Sequence, residues 1–513
     1  MMSVRCFRVV AILLVVPNII TNGASKSHKV VCYLGSWANY RNGEGKFLIE
    51  DIDPFLCTHL IYGFAKLSYD NKIAAYDPYL DLKENWGLGA YQRFNELKAK
   101  NPNLKTLLAI GGWNEGSTKY SQMARNANSR GVFIKSCVEF LLKYGFDGLD
   151  LDWEYPANRG GAPEDKQNFA ALLKEMKEAF RSHGLLLSAA VSAGQSTIDS
   201  AYDISALGKY LDMINLMAYD FHGGWDTVTG HNAPLYPRPE QSENNKKLNV
   251  DYAVKYWLRK GAPAEKLILG MPLYGRSFAL QNSQKNGLDA PVTGKGMAGE
   301  YTKEPGMLGY NEICKMLRNE KDWKIVVEKY TKAPYAVKDR QWIGYDDIES
   351  ISHKVDYLLQ MKLGGGMIWS IETDDFRGNC HGFRYPLLRA INERLNGRSV
   401  PHHREKDLEK DNSISPTKFI SSSSPMPSST RRQTASTRTA KATTEKPQDN
   451  DLPCPRTGYF RHPDNCKVFY FCQAINTAKG MGYQRFVFKC GAGTVFSETL
   501  RICTFPNSAP GCS

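Results

Sequence analysis

Eight short apolar, β-branched runs separated by amphipathic helical patterns constrain this chain more than any other feature. They are VVCYLGSW (30–37), THLIYGFA (58–65), KTLLAIGG (105–112), FDGLDLDWEY (146–155), LLLSAAVS (185–192), DMINLMAYD (212–220), LILGMPLYG (267–275) and GGGMIWSIE (364–372). Between them stand segments such as EDKQNFAALLKEMKEAFRSHG, whose apolar residues recur at helical spacing. Strands alternating with helices imply an α/β fold with a parallel sheet. Eight such units predict a (β/α)8 TIM barrel over residues 28–397. The gap between the seventh and eighth runs, about 276–345, is long enough for an insertion between strand 7 and helix 7.

The two ends of the chain read differently. Arg5 and Arg8 precede the short apolar run Ala11 to Val16, and small residues around Thr21, Gly23 and Ala24 offer a cleavage point. Residues 1–24 are therefore expected to be a secretory signal, and the protein to be secreted and extracellular. No run is long and apolar enough to span a bilayer, so no membrane partner is expected. From 398 to 453 the chain is rich in Ser, Thr, Pro and charge, the composition of a disordered linker. The twin His402–His403 has no further ligand at sensible spacing and reads as a solvated pair. Of the 12 cysteines, five lie in the middle of the chain and six crowd 454–513. Six cysteines in so short a tail predict a small disulfide-rich module. Five in the middle leave one free. Cys137 is expected to be that one, buried on an apolar helical face with Phe133, Val138, Leu141 and Leu142. The net charge of +13 is spread without a dense basic stripe, which argues against a nucleic-acid partner.

Within the fourth run, FDGLDLDWEYP crowds Asp147, Asp150, Asp152 and Glu154 into eight positions. Side chains alternate along a strand, so Asp150, Asp152 and Glu154 share one face and Leu149, Leu151 and Trp153 the other. A barrel strand is covered on both sides, so the carboxylates point inward rather than to water. Glu154 falls at the C-terminal end, where barrel enzymes place their chemistry. Neighbouring carboxylates raise at least one pKa, and a protonated acid beside an ionised one suits general acid catalysis. No histidine or second acidic motif accompanies the row, so neither a metal nor a cofactor is expected. Asp147 differs in parity and is expected to be structural.

Aromatic residues cluster at the other strand ends: Tyr33, Trp37, Phe64, Trp113, Tyr219, Trp225, Tyr274 and Trp369. Aromatic platforms converging on buried carboxyls suit sugar rings and their glycosidic bonds.

With those residues in hand, FDGLDLDWEYP resembles the Asp-x-x-Asp-x-Asp-x-Glu signature of glycoside hydrolase family 18, the chitinases. KTLLAIGGWN, MAYDFHGGW and GGGMIWSIETDDF are similar to further family segments in the expected order. The resemblance implies a secreted endochitinase that cleaves β-1,4-N-acetylglucosamine linkages of chitin with retention of configuration. Glu154 would be the acid, Asp152 would hold the substrate's acetamide, Asp150 would pair with Asp152, and Tyr219 would donate to the acetamide oxygen. Tyr33, Trp37, Phe64, Trp113, Asn114, Met217, Asp220, Trp225, Tyr274, Arg276, Glu304 and Trp369 would line the substrate cleft, and the insertion would be a small α+β domain. Family members often carry Ser where this chain has Ala109, so one hydroxyl beside Asp150 is missing there. The resemblance also implies the pairs Cys32–Cys57 and Cys314–Cys380.

The tail resembles the peritrophin-type (family 14) chitin-binding module. It implies Cys454–Cys472, Cys466–Cys512 and Cys490–Cys503, with Tyr470, Phe496 and Phe505 meeting chitin. Chitin and chito-oligosaccharides are then the expected partners of a monomer. The competing expectations are a catalytically weak chitin-binding lectin and an endo-β-N-acetylglucosaminidase acting on glycoprotein glycans.

Overall fold

A computed structural model describes residues 28–397 and, toward the C-terminus, Cys454, 458–463, 465–477, 480–490, 495–497 and 502–504. The expected signal (1–24) and linker (398–453) lie outside these residues. The chain divides into two compact units.

In the larger unit, β1 (Lys29–Gly35) is followed by β2 (His59–Leu67), on which the short β3 (Ile73–Ala75) folds back antiparallel. Next come β4 (Lys105–Gly111), β5 (Gly148–Asp152), β6 (Leu186–Ser192), β7 (Met213–Met217) and β8 (Leu267–Pro272). An insertion then supplies β9 (Tyr274–Leu280), β10 (Val292–Lys295), β11 (Met307–Gly309), β12 (Lys324–Val327), β13 (Pro334–Lys338) and β14 (Gln341–Gly344). These six pair antiparallel in the order β10-β9-β14-β13-β12, with β11 on β9, and carry the helix Tyr310–Asn319. This is the α+β insertion expected at about 276–345. The helix Ile348–Gln360 returns the chain to β15 (Gly365–Trp369), which pairs in parallel with both β8 and β1. With β1 also parallel to β2, the eight predicted strands close into the barrel.

Period-2 alternation sorts the barrel's side chains as the apolar runs require. Val31, Tyr33, Ile61, Leu107, Ala109 and Met367 fill the inside, while Val30, Cys32, Leu34, Leu60, Leu149 and Leu151 pack under the helices. Asp147, just before β5, accepts from the Thr106 backbone N–H (2.8 Å) and from Lys98 Nζ (3.0 Å). It fastens the entrance of the strand, as its parity suggested. Disulfides join Cys32 to Cys57 and Cys314 to Cys380, and Cys137 is free and buried. The second disulfide ties the insertion's helix to the loop beyond β15. No helix among the described residues is long and apolar enough to cross a membrane.

The smaller unit is a β module. Strands β16 (Gly458–His462), β17 (Asn465–Thr477) and β18 (Gly480–Lys489) form an antiparallel sheet, and β19 (Val495–Ser497) pairs with β20 (Ile502–Thr504). Cys454 bonds Cys472, and Cys466 and Cys490 are each in a disulfide. The partners expected for them, Cys512 and the Cys503 side chain, lie outside what is described, as does Phe505.

Candidate active site

The site grows from the C-terminal end of β5. Register places Asp150 beside Ala109 and Ser188, and Asp152 beside Gly111. Gly111 has φ +117°, and a Cβ there would lie 2.1 Å from the Asp152 carbonyl oxygen. Only glycine permits that approach, and the Gly112 N–H then donates to the same carbonyl at 2.8 Å. The double glycine of the third run thus seats the acidic strand. Farther along, Ser117 Oγ accepts from Trp153 Nε1 (2.9 Å) and donates to the Tyr155 carbonyl (2.7 Å), which brackets Glu154.

Asp150 is fully buried and accepts three hydrogen bonds: Tyr33 hydroxyl (2.6 Å), Ser188 Oγ (2.6 Å) and Asn215 Nδ2 (3.0 Å). Burial pushes its carboxyl up, and these donors pull it back. Support absent at Ala109 therefore arrives from β6 instead. Ser188 and Asn215 were missed by sequence reasoning; the only signal was a lone polar residue inside each apolar run. Tyr33 is corrected in role. Expected to line the cleft, it is 1 % exposed inside the barrel and holds Asp150.

Asp152 is buried with its Oδ1 unpartnered among the described residues. Burial first, then the charges of Glu154 and Asp150, hold its carboxyl well above the usual range. Burial and the flanking carboxyls thus favour the protonated form of Asp152, while Asp150 has three donors to support its charge. Glu154 is also buried, and burial pushes its pKa up to about 7, with Asp220 adding to the rise and Tyr155 and Arg159 opposing it. A carboxyl of that acidity gives and takes a proton near neutral pH.

Across from the acids, the Tyr219 hydroxyl points at Met367 Sδ, 3.7 Å away, a weak acceptor that a carbonyl oxygen would displace. Half-buried Met217 ends β7 two residues earlier. Asp220 accepts from Tyr274 hydroxyl and Arg276 Nε, both at 2.7 Å. Asn232, also missed, accepts from the Asp220 N–H (2.8 Å) and donates to the Tyr274 carbonyl (3.1 Å). Arg276 in turn lies over the Trp225 ring at 5.2 Å, and Glu304 is exposed with its charge felt at Arg276.

The aromatic residues divide into two groups. Trp37, Phe64 and Trp369 form one cluster, with ring centroids 5.9 to 6.2 Å apart. Trp113 and Trp225 stand separately, 60 % and 59 % exposed, the first beside exposed Asn114 and the second beside half-buried Arg276. Arg159 lies 3.5 Å over the Trp113 ring and donates to the carbonyls of Glu154 (2.9 Å) and Trp113 (3.0 Å). It sits in a Gly-rich loop without periodicity, which is why the sequence did not flag it.

A possible metal-ligand grouping among the described residues, Cys314, Asp375 and Cys380, has its two sulfurs in a disulfide.

In the small module two expectations fail. Tyr470 and Phe496 are 3 % and 1 % exposed, stacked on Phe460 and Phe469, so they are core rather than ligand platforms. An aromatic between two cysteines reads the same in sequence whether it packs or binds. Tyr483 on β18 is exposed instead.

With the geometry established, the similarities to known proteins are specific. The pattern of Glycosyl hydrolases family 18 matches residues 29–374, and that of the Chitin binding Peritrophin-A domain matches 454–512. Chitotriosidase-1 of Mus musculus is 40 % identical over 489 residues, covering 93 % of this chain and 95 % of its own. The crystal structure of Ostrinia furnacalis Group IV chitinase superposes with a TM-score of 0.70 at 47 % identity, over 72 % of this chain and 99 % of that one. Human YKL-39, described as a pseudo-chitinase with retained chitooligosaccharide binding, superposes at 0.67 and 42 % identity, over 72 % and 100 %.

Proposed function

The chain belongs to glycosyl hydrolases family 18 and carries a peritrophin-A chitin-binding domain, and on that premise we propose a secreted endochitinase that works by substrate-assisted, retaining catalysis. The observation that carries the reading is the buried row Asp150–Asp152–Glu154, with an acid of pKa about 7 at its outer end.

In the first step Glu154 protonates the glycosidic oxygen as the C1–O bond breaks. The acetamide carbonyl of the same sugar attacks C1 from the opposite face and forms an oxazolinium ion, the substrate taking the place of an enzyme nucleophile. Asp152 accepts a hydrogen bond from the acetamide N–H and balances the ion's charge, while Tyr219 donates to the acetamide oxygen. Asp152 can do this because its proton passes to Asp150 as the ion forms, the receiving carboxylate being held by Tyr33, Ser188 and Asn215. Water then attacks C1 from the first face and gives a proton to the Glu154 carboxylate. Two inversions leave the β configuration. Trp369 floors the reacting sugar, Trp37 and Phe64 continue the platform on one side, and Trp113 and Trp225 receive the leaving sugars.

Export is supported by residues 1–24 and by the disulfides, which belong to oxidising compartments. The 398–453 segment acts as a tether, and 454–513 anchors the enzyme to insoluble polymer.

Incubation with colloidal chitin is expected to release soluble oligomers; binding without release would favour the lectin reading instead. Removing 401–513 should leave pentamer hydrolysis unchanged and slow the turnover of insoluble chitin, and equal turnover would remove the anchoring role. The pH profile is fixed by the proton on Glu154. Its acid form is present below about 7 and lost above it, so kcat should fall about tenfold per pH unit on the alkaline side of pH 7. An alkaline limb near pH 4.5 would mean that another group is the acid.

A further inference from the structure

We propose that the buried pair Glu372–Arg41 is a positioning device that fixes Trp37 against Trp369 and so sets the affinity for long chito-oligosaccharides, an inference resting on the reading of this site as a chitinase cleft. Neither residue lies in the acidic row or among the cleft residues expected from the sequence.

Glu372 sits in the short helical turn Ile371–Thr373, three residues past Trp369, and is 1 % exposed. Its Oε2 accepts from the Gly35 N–H at 3.1 Å and its Oε1 from Ser370 Oγ at 2.6 Å. Arg41 Nη2 stands 3.8 Å from Oε1, and Arg41 Nη1 donates to the Glu372 carbonyl at 3.4 Å. These partners flank the platform. Gly35 precedes Trp37 by two residues, Arg41 follows the turn Ser36–Tyr40 that carries Trp37, and Ser370 follows Trp369. One carboxylate therefore ties the turn that bears Trp37 to the end of β15, the strand that already holds Trp369.

Gly35 makes this possible, because a Cβ there would come within 2.6 Å of Glu372 Oε1 and within 2.6 Å of the Trp37 indole. The two tryptophan rings are 6.2 Å apart and inclined by 43°. Trp37 itself is 44 % exposed, so packing alone leaves it room to turn. A carboxylate and a guanidinium taken out of water are costly, and apolar side chains would serve packing alone at lower cost. What the ion pair adds is direction, since each of its hydrogen bonds ends on a segment that presents a ring to the cleft.

The test uses the full chain and N-acetylglucosamine oligomers with a fluorogenic leaving group, one of two sugars and one of five. The short substrate reaches Trp369; the long one extends over Trp37. Glu372→Gln and Arg41→Met should each raise KM for the five-sugar substrate by about tenfold, with kcat and the two-sugar KM nearly unchanged. Arg41→Lys, which keeps the charge, should recover part of that loss. Equal losses on both lengths, or a lower unfolding temperature with unchanged KM, would overturn the proposal. If the wild-type chain cleaves neither substrate, the functional reading fails separately. Pentamer binding then decides on the pair: weaker binding in both variants supports it and equal binding overturns it.

Discussion

Replacing Glu154 with Gln is expected to lower kcat on a soluble chito-pentamer by about 10³-fold, within the range that positioned acid catalysis supplies. Gln has nearly the same shape and no proton to give. The loop around it should hold, because Arg159 contacts the Glu154 backbone carbonyl rather than its carboxyl, and Ser117 bridges Trp153 and Tyr155. KM should therefore stay within about threefold, since the platforms and Asp220 are untouched. The loss corresponds to about 4 kcal/mol of transition-state stabilisation. Steady-state kinetics on the purified variant checks this. A kcat within tenfold of wild type would mean that another group protonates the leaving oxygen.

Asp152→Asn should cost about 10²- to 10³-fold in kcat, the scale of losing one preorganised electrostatic partner. The Asp152 Oδ1 is buried with no partner among the described residues, so its acceptor capacity is open to a donor from the substrate. Asn keeps an acceptor oxygen but cannot take up negative charge as the oxazolinium ion forms. The pH profile separates this from a disturbance of Glu154. Asp152 is the more deeply buried of the two and faces carboxyls on both sides, which favours its protonated form through the range where Glu154 titrates. The alkaline limb should then remain near 7 in the variant while the plateau drops. A limb displaced by a full pH unit with an intact plateau would contradict the role given to Asp152.

Most of the barrel was legible because parallel strands covered on both faces must be apolar throughout, and eight such runs have few other solutions. The direction of the acids followed from period-2 alternation alone. What escaped were contacts made across the barrel between residues far apart in sequence. Ser188 reaches Asp150 from the adjacent β6, Asn215 from β7 one strand farther round, and Glu372 reaches Gly35 from 337 positions away. A single polar residue in an apolar run carries no signal of which charge it faces. Tyr33 was read as a cleft aromatic because its ring is apolar and its position apt. Its hydroxyl decides otherwise, since a buried phenol needs a partner and Asp150 is that partner. In the small module Tyr470 and Phe496 were mistaken for ligand platforms, because so few residues build the core there that aromatics must fill it.

The central claim is that the substrate's own acetamide, steadied by Asp152, does the work of a nucleophile. Proton NMR of the pentamer digest, recorded in the first minutes before the anomers equilibrate, tests it most directly. New reducing ends should appear as the β anomer. Appearance of the α anomer first would mean that water attacks C1 directly, and would contradict the role assigned to the acidic row.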